Sequence, residues 1–136
     1  DQDALRNVIR SQVDVVLPEG TAVLNAANDA VAALAELSDG RVIFYALDEN
    51  NPVVAGHRAQ GERVVFVRDK RIVLAEGFGL EEQLLDLAKI PPATVKHPDS
   101  VLAAVAAAWA LGVPSDLICG GLRAFDATPK KTTHSI

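Results

Sequence analysis

Cysteine and aromatic residues are scarce in this sequence, and each scarcity narrows the kinds of site that it can hold. Among 136 residues there is one cysteine, Cys119, so the sequence contains neither a disulfide within itself nor a cysteine-rich metal cluster. Cys119 lies in an apolar run and is interpreted as a buried, inert thiol. Aromatic residues make up 4% of the sequence and hydrophobic residues 49%, with alanine and valine prominent. This profile is typical of an ordinary soluble globular domain.

The sequence also has no excess of basic residues and no long apolar run. The sequence has 13 Lys and Arg against 18 Asp and Glu, so its net charge of −5 favours neither nucleic acid nor an anionic membrane as a partner. The most apolar run, VLAAVAAAWALGV, is too short to span a bilayer. The first residues, DQDALRNVIR, are acidic and polar, unlike a secretory signal. We therefore expect a cytoplasmic protein without nucleic-acid or membrane partners.

Motifs that would identify a reaction are absent from the sequence as well. There is no GxxxxGK[ST] phosphate loop, no GxGxxG motif and no serine in a nucleophile elbow. His57, His97 and His134 are far apart and lie in polar contexts, so we interpret them as solvated surface residues rather than metal ligands. The charged RDKR segment, residues 68–71, is interpreted as a solvated hairpin tip rather than a phosphate clamp. Composition and spacing alone therefore indicate a globular domain but no reaction.

The first half of the sequence predicts a helix followed by a β-α-β unit. Residues 3–16, DALRNVIRSQVDVV, are typical of an amphipathic helix. Its apolar positions at helical spacing are Leu5, Val8, Ile9 and Val13. The apolar segments TAVLN and RVIFYAL predict two strands around the helix AVAALAEL, which Asn28 or Asp29 would cap and which would stop at residues 38–40. Residues 21–47 are therefore expected to form a β-α-β unit with parallel strands.

The middle of the sequence predicts a short helix and a hairpin. Asn51 is expected to cap the short helix, with Pro52 at its first position. The segment ERVVFVRDKRIVLAEG predicts two strands joined at Asp69-Lys70. The next segment, EEQLLDLAKIPP, has helical propensity but also fits an extended conformation, so its structure stays open.

The last third of the sequence predicts two helices and a tail. DSVLAAVAAAWALG is apolar on nearly every side, which indicates a buried helix that ends at Gly112. Trp109 in this helix is expected to be buried against the sheet. Ser115 is predicted to cap the last helix, DLICGGLRAF. The polar segment DATPKKTTHSI, residues 126–136, is expected to be a disordered tail.

Several segments, taken in order, resemble Mur-type amide ligases and in particular cyanophycin synthetases. PEGTAVLNAAND resembles the P-x-G-x-A-V-L-N-A-D-D stretch of these ligases. The segment GRVIFYALDENNPVVAGHRAQGERVVFVRDKRIVLAEG is similar to one in which D-x-D-N-P follows a strand and a V-x-x-x-G-x-I-V-L hairpin comes later. SVLAAVAAAWALGVPSDLICGGLRAF resembles the N-V-L-A-A-V-A-A-A-W-A-L-G helix and the I-x-x-G-L-x-x-F helix after it. The resemblance covers about residues 3–125.

The resemblance implies a fold and a parent activity. The fold is α/β, part of a Mur-ligase-type central domain over residues 1–125, with a β-α-β unit, a β-hairpin and two C-terminal helices. In the family, ATP phosphorylates a carboxylate and an amine attacks the acyl phosphate. Cyanophycin synthetases make in this way a poly-aspartate backbone that carries arginine. The phosphate loop and magnesium-binding residues of the domain would lie upstream and the closing domain downstream. ATP and Mg²⁺ thus belong to the parent family, no cofactor is expected in this chain, and the remainder of the ligase is the implied partner.

The same resemblance implies four nucleotide-binding positions, Asn25, Asn28, His97 and Ser100, and no catalytic or metal-binding residue. Where the family has Asp-Asp after L-N-A, this chain has Ala27-Asn28, so the carboxylate pair is lost. Ser100 stands where the family helix opens with an asparagine implicated in nucleotide binding, and a hydroxyl lacks the paired donor and acceptor of an amide. The family's P-G-R after the phenylalanine is missing too. We interpret the site as vestigial, with Asn25 as a turn former and Asn28 as a helix cap.

Two functions fit these observations. The chain is either a segment or degenerate relative of a cyanophycin synthetase-like ligase, inactive alone, or a stand-alone, non-catalytic binding or assembly module that retains the ligase fold. We also expect a homodimer, because the apolar strands TAVLN and RVIFYAL would pair with other chains if they lay at an unpaired sheet edge.

Overall fold

The computed structural model describes residues 15–16, 20–33, 41–92 and 96–124. They form a mixed sheet with strand order β1-β2-β3-β4-β5-β6. The strands are β1 (Val15–Val16), β2 (Ala22–Asn25), β3 (Val42–Ala46), β4 (Arg63–Arg68), β5 (Arg71–Glu76) and β6 (Leu80–Asp86). The helices are α1 (Asp29–Ala33), α2 (Pro52–Ala59), α3 (Pro98–Ala110) and α4 (Ser115–Ala124), and a 3₁₀ helix, Leu87–Lys89, follows β6. The predicted α/β class is confirmed.

The parallel part of the sheet consists of β2, β3 and β4. Val23 lies opposite Ile43, and Phe44 lies opposite Val64, both in parallel register. Strands β4 and β5 then form the predicted antiparallel hairpin. Its turn residues Asp69 and Lys70 have φ values of 51° and 65°, the left-handed conformation that two-residue hairpin turns need. The β-α-β unit and the hairpin therefore lie where the sequence predicts them.

Alternating side chains give the sheet two apolar faces, each covered by helices. One face includes Val23, Tyr45 and Val65 and packs against α3 and α4. The other face includes Leu24, Phe44 and Phe66 and packs with buried side chains of α1 and α2. This arrangement follows from the period of two along a strand, which sends neighbouring residues to opposite sides.

Two predicted helix caps are present. The Asn28 side-chain oxygen accepts from the Val31 N–H at 3.1 Å, which satisfies a free donor at the start of α1. The Asn51 side-chain oxygen accepts from the Val53 and Val54 N–H groups at 2.8 and 3.2 Å, and Pro52 is the first residue of α2. Both polar side chains thus lie at the loop-to-helix junctions that the sequence indicates.

The structure differs from two predictions of secondary structure and decides the conformation of the one segment that stayed open. Val15 and Val16 form an antiparallel strand beside β2 instead of the end of a helix, because pairing with β2 satisfies their backbone groups. The segment left open is extended from Leu80 to Asp86 and pairs with β5. Ser115 is the first residue of α4 rather than a cap before it, and the Pro114 carbonyl accepts from the Leu117 N–H at 3.0 Å. The remainder of the predicted first helix, the stop at residues 38–40 and the tail lie outside the described residues.

Strand pairing removes the reason for which a homodimer was expected. Strands β2 and β3 each have a neighbour on both sides, since β1 and β3 flank β2, and β2 and β4 flank β3. Among the described strands, β1 and β6 are the edges. The exposed residues of β6 include Glu82, a charge that disfavours pairing with another edge. The oligomeric state therefore stays a prediction that now lacks its edge-strand argument.

Helix α3 is buried on one side rather than all round. Val101, Leu102 and Val105 are at most 4% exposed, whereas Ala104 is exposed and Trp109 is only half-buried. Trp109, expected to be buried against the sheet, packs against the core but is only partly covered, and the Arg63 guanidinium lies 4.5 Å from its ring centroid. No helix within the described residues has the length and apolar character needed to cross a bilayer.

Candidate functional site

The candidate site lies at the carboxyl ends of the parallel strands, where open α/β sheets bind ligands. Strand β2 ends at Asn25 and leads through a turn to Asn28. Strand β3 ends at Ala46 and leads through residues 47–51 to α2. These two neighbouring connections carry most of the polar groups at this end of the sheet.

Asn25 is buried and shapes the turn that follows β2. Its side chain is 3% exposed, and its Oδ1 atom accepts from the Ala27 N–H at 2.9 Å. The Asn25 carbonyl accepts from the Asn28 N–H at 3.3 Å. An asparagine that bonds to the backbone two residues on replaces one bond of a β-turn, so this residue fixes the path of the chain. The predicted turn-forming role of Asn25 is present, and whether it contacts a nucleotide stays a prediction.

The other two candidate residues lie at the start of α3. Trp109, near the end of α3, lies under Arg63 at the amino end of β4, and Ala110 lines the same cleft as Thr21, which directly precedes β2. The helix therefore runs opposite to the parallel strands, and its first residues lie toward their carboxyl ends. His97 precedes α3 without a side-chain cap bond, and Ser100 is in its first turn; both are exposed. The structure thus places all four candidates at one end of the sheet, on two separate elements.

His97 and Ser100 open onto an apolar groove between α3 and α4. The groove has a volume of about 570 Å³. Its apolar walls include Val101, Ala104, Ala108, Val113, Leu117 and Leu122. An exposed serine beside an apolar groove offers one hydroxyl as a polar contact, whereas an amide would offer a donor and an acceptor on separate atoms.

Asn51 joins the two connections at this end of the sheet, a role that its sequence position does not reveal. In addition to capping α2, its Nδ2 group donates to the Ala26 carbonyl at 3.4 Å, across 25 residues of sequence. The cap signal predicts only the local bonds of this side chain, because the contact with Ala26 depends on the parallel register of β2 and β3.

A charged cluster beside this loop was also missed by the sequence interpretation. Arg68 donates through Nε to Glu49 at 2.9 Å and through Nη1 and Nη2 to Glu81 at 2.5 and 3.1 Å. Arg58 donates to Glu81 at 2.8 Å and to the Gly77 carbonyl at 2.7 Å. The interpretation of RDKR as a solvated tip is right for the exposed turn, but Arg68 itself is half-buried and paired. Period-two alternation places Arg68 on the same side of β4 as Phe66, yet its partners come from distant segments.

The cluster shifts the pKa of two of its members, Glu81 and Arg68. Two arginines that donate to the Glu81 carboxylate lower its pKa from an ordinary value of 4.5 to about 2. Hydrogen bonds to Glu81 and Glu49 raise the pKa of Arg68. Glu81 and Arg68 therefore both stay charged near neutral pH.

Two other residues differ from their predicted surroundings. His57 is half-buried rather than solvated, with Nε2 2.7 Å from the Val42 carbonyl oxygen and its ring edge-on to Phe44. It lines a cleft of about 800 Å³ at the amino ends of the strands, opposite the candidate site. Cys119 is half-buried, its thiol lies 3.5 Å from the Leu84 carbonyl, and burial raises the pKa of that thiol. In the described ranges, no three His, Cys, Asp or Glu residues are grouped so that they could hold a metal ion.

Cyanophycin synthetases are among the known proteins to which this chain is similar in sequence. It is 30% identical over 125 residues to the cyanophycin synthetase of Synechocystis sp. and 29% identical over 125 residues to that of Crocosphaera subtropica. Each alignment covers 88% of this chain and 14% of the relative. The cyanophycin synthetase of Trichormus variabilis is 27% identical over 135 residues, which cover 96% of this chain and 15% of the relative. The sequence matches no family model.

These alignments show distant homology to cyanophycin synthetases over most of this chain. They also show that the chain spans only 14–15% of the length of these relatives. The resemblance stated from the motifs is therefore confirmed at the level of homology, while the domain to which the chain corresponds stays a prediction.

Proposed function

We propose that this chain is the later part of the central ATP-binding domain of a cyanophycin synthetase-like amide ligase, or a degenerate relative of that part. The observation that carries the proposal is the alignment of 88% of the chain with cyanophycin synthetases at 29–30% identity. Residues 1–125 would form the ligase-like unit, with ATP and Mg²⁺ as cofactors of the whole ligase and the remainder of that ligase as the partner.

In this role the chain would supply one wall of a nucleotide site. The turn from Asn25 to Asn28 and the start of α3 at His97 and Ser100 would face the nucleotide. The support is positional, since both elements lie at the carboxyl ends of parallel strands, where α/β sheets bind nucleotides.

The chain alone is proposed to be inactive because the polar groups of this wall are weakened or already engaged. The Asn28 side-chain oxygen is used by the backbone of α1, and Ala27 has no polar side chain. Ser100 offers a single hydroxyl. A site of this kind lacks the charge needed to hold a triphosphate without help from other segments.

Calorimetric titration with Mg-ATP tests the weak-binding part of the proposal. We expect the chain alone to bind with a dissociation constant of millimolar or weaker, near −4 kcal/mol. A micromolar constant for the unmodified chain would contradict the vestigial interpretation of the site.

A chimeric enzyme tests the assignment to the ligase. Residues 20–124 would replace the aligned segment of the Synechocystis cyanophycin synthetase, and ATP-dependent synthesis would be measured. We expect very low activity, and a rise of about tenfold or more when A27D, N28D and S100N restore the family pattern. The control is A30D, which adds a carboxylate to the exposed side of α1 outside the turn. Equal activity in the restored and control chimeras would count against the proposal.

A stand-alone binding module is the second candidate function, favoured by the open apolar groove between α3 and α4. Leu117 on its rim is 62% exposed, and exposed apolar surface of this kind marks interaction sites. A second copy of the chain is the partner to test first. Light scattering at micromolar concentration is expected to give a dimer mass that L117D reduces to that of one chain. A monomer mass for the unmodified chain would remove this candidate.

A further inference from the structure

We propose that Arg68 is a positioning residue for the turn that carries Asn25 and Asn28. Arg68 lies at the end of β4 and donates a hydrogen bond to Glu49 in the loop between β3 and α2. The same loop ends in Asn51, which donates to the Ala26 carbonyl within the turn. The functional meaning of this role rests on the proposed nucleotide site, whereas the contacts themselves do not.

The loop between β3 and α2 can transmit position because it is internally bonded. The Asp48 side chain accepts from the Asn50 N–H at 2.9 Å, and its carbonyl accepts from the Asn51 N–H at 3.1 Å. The Asn51 side-chain oxygen is in turn bonded to two N–H groups of α2. A displacement of Glu49 would therefore move Asn51 as well, instead of being absorbed between them.

Arg68 can position the loop because its guanidinium group is itself fixed in orientation by Glu81. Its two terminal nitrogens bind both oxygens of Glu81, a fork that a lysine cannot reproduce. Glu81 also accepts from Arg58, which donates to the Gly77 carbonyl. The Arg58 and Arg68 guanidinium carbons lie 5.6 and 5.3 Å from the centroid of Phe66, which is fully buried. The cluster therefore anchors the loop to three other elements, α2, β4 and β6.

A second arginine on the same strand provides the matched comparison. Arg63, at the other end of β4, makes one bond of 3.1 Å to Glu76, its direct neighbour on β5. This ion pair is similarly exposed, but within the part of the chain that the structure describes it contacts no loop at the candidate site. If the loss of any ion pair on β4 disturbed the protein, variants of Arg63 and Arg68 would have similar effects. If Arg68 positions the turn, only its variants should change the turn from Asn25 to Asn28.

Amide hydrogen exchange by NMR, without nucleotide, tests the proposal. In R68K we expect exchange at Ala27, Val53 and Val54 to accelerate about threefold or more, with a shift of the Asn51 side-chain amide signals. E49Q, which leaves the pairing of Arg68 with Glu81 intact, is expected to give the same local pattern. The control R63K is expected to leave these signals unchanged.

Two results would overturn the positioning role. One is unchanged exchange at Ala27 in both R68K and E49Q. The other is acceleration of equal size at core amides such as Val65 and Leu74, which would indicate general destabilisation instead. Because nucleotide is absent, failure here is separate from failure of the ATP titration, which tests the proposed function.

Discussion

The two faces of the sheet are buried by different means. The face toward α3 and α4 is covered by apolar side chains of two helices, such as Leu102 and Ile118. The opposite face is covered by α1 and α2 near β2 and β3, but near β4 two guanidinium groups lie over Phe66. Tyr45 on one face and Phe66 on the other are both fully buried. Equal burial can therefore come from helices or from arginine side chains, whose stems are apolar and whose charges are paired.

The largest expected effect is on the helix-covered face. Leu102 of α3 is fully buried, so L102A should lower the free energy of unfolding by about 2–5 kcal/mol, from lost transfer energy and the cavity. Urea unfolding measures this, with A104S on the exposed side of α3 as the control. Because Trp109 is half-buried, W109A should lower the free energy of unfolding by less than truncation of a fully enclosed ring would. A loss below about 1 kcal/mol for L102A would show that α3 contributes little to the core.

A backbone change at Gly77, in the turn between β5 and β6 that supports Arg58, should have the next largest effect on stability. Gly77 has φ +57°, and a Cβ there would lie 3.1 Å from the Gly61 Cα. G77A should therefore destabilise the protein by about 1–3 kcal/mol and displace the carbonyl that holds Arg58. A Cβ added by G79A in the same turn would meet no atom of the described residues within 4 Å, so G79A serves as the control in the same urea measurement. Equal stability of the two variants would contradict the strained turn.

The ion pairs of the charged cluster around Arg68 should contribute less to the free energy of unfolding than Leu102 or Gly77 does. Arg68 and Glu81 are 28% and 33% exposed, so solvent screens their attraction. A double-mutant cycle with R68A and E81A should give a coupling energy of about 1 kcal/mol, at the upper end for exposed pairs because the fork makes two bonds. The corresponding cycle for Arg63 and Glu76 should give a smaller value. The comparison between the two ends of β4 fails if the second coupling is the larger.

The same contrast explains how much could be predicted from the sequence. Periodicity and local signals predicted the strands β2 to β5, the hairpin turn and the caps at Asn28 and Asn51, because those features depend on residues close in sequence. Local signals do not decide between helix and strand for residues 80–86, because the extended conformation there comes from pairing with β5, which outweighs helical propensity. The contact of Asn51 with Ala26 and the cluster around Arg68 depend on register between distant strands. No local pattern indicates them.

The smallest expected effect is a pH dependence of the free energy of unfolding that comes from Glu81 in the charged cluster. The two arginines hold the pKa of Glu81 at about 2 in the folded protein, below its ordinary value of 4.5. The unfolded chain therefore binds more protons between these values, so the contribution of Glu81 is complete above about pH 5 and is lost as pH falls through 2. Replacing Glu81 by glutamine should flatten the decline of unfolding free energy between pH 5 and 3, measured by urea denaturation. E82Q is the control, because Glu82 lies on the same strand but forms no ion pair among the described residues. If E82Q flattens the decline as much as E81Q, the effect reflects overall charge, and the arginine cover does not hold Glu81 in the way that its hydrogen bonds indicate.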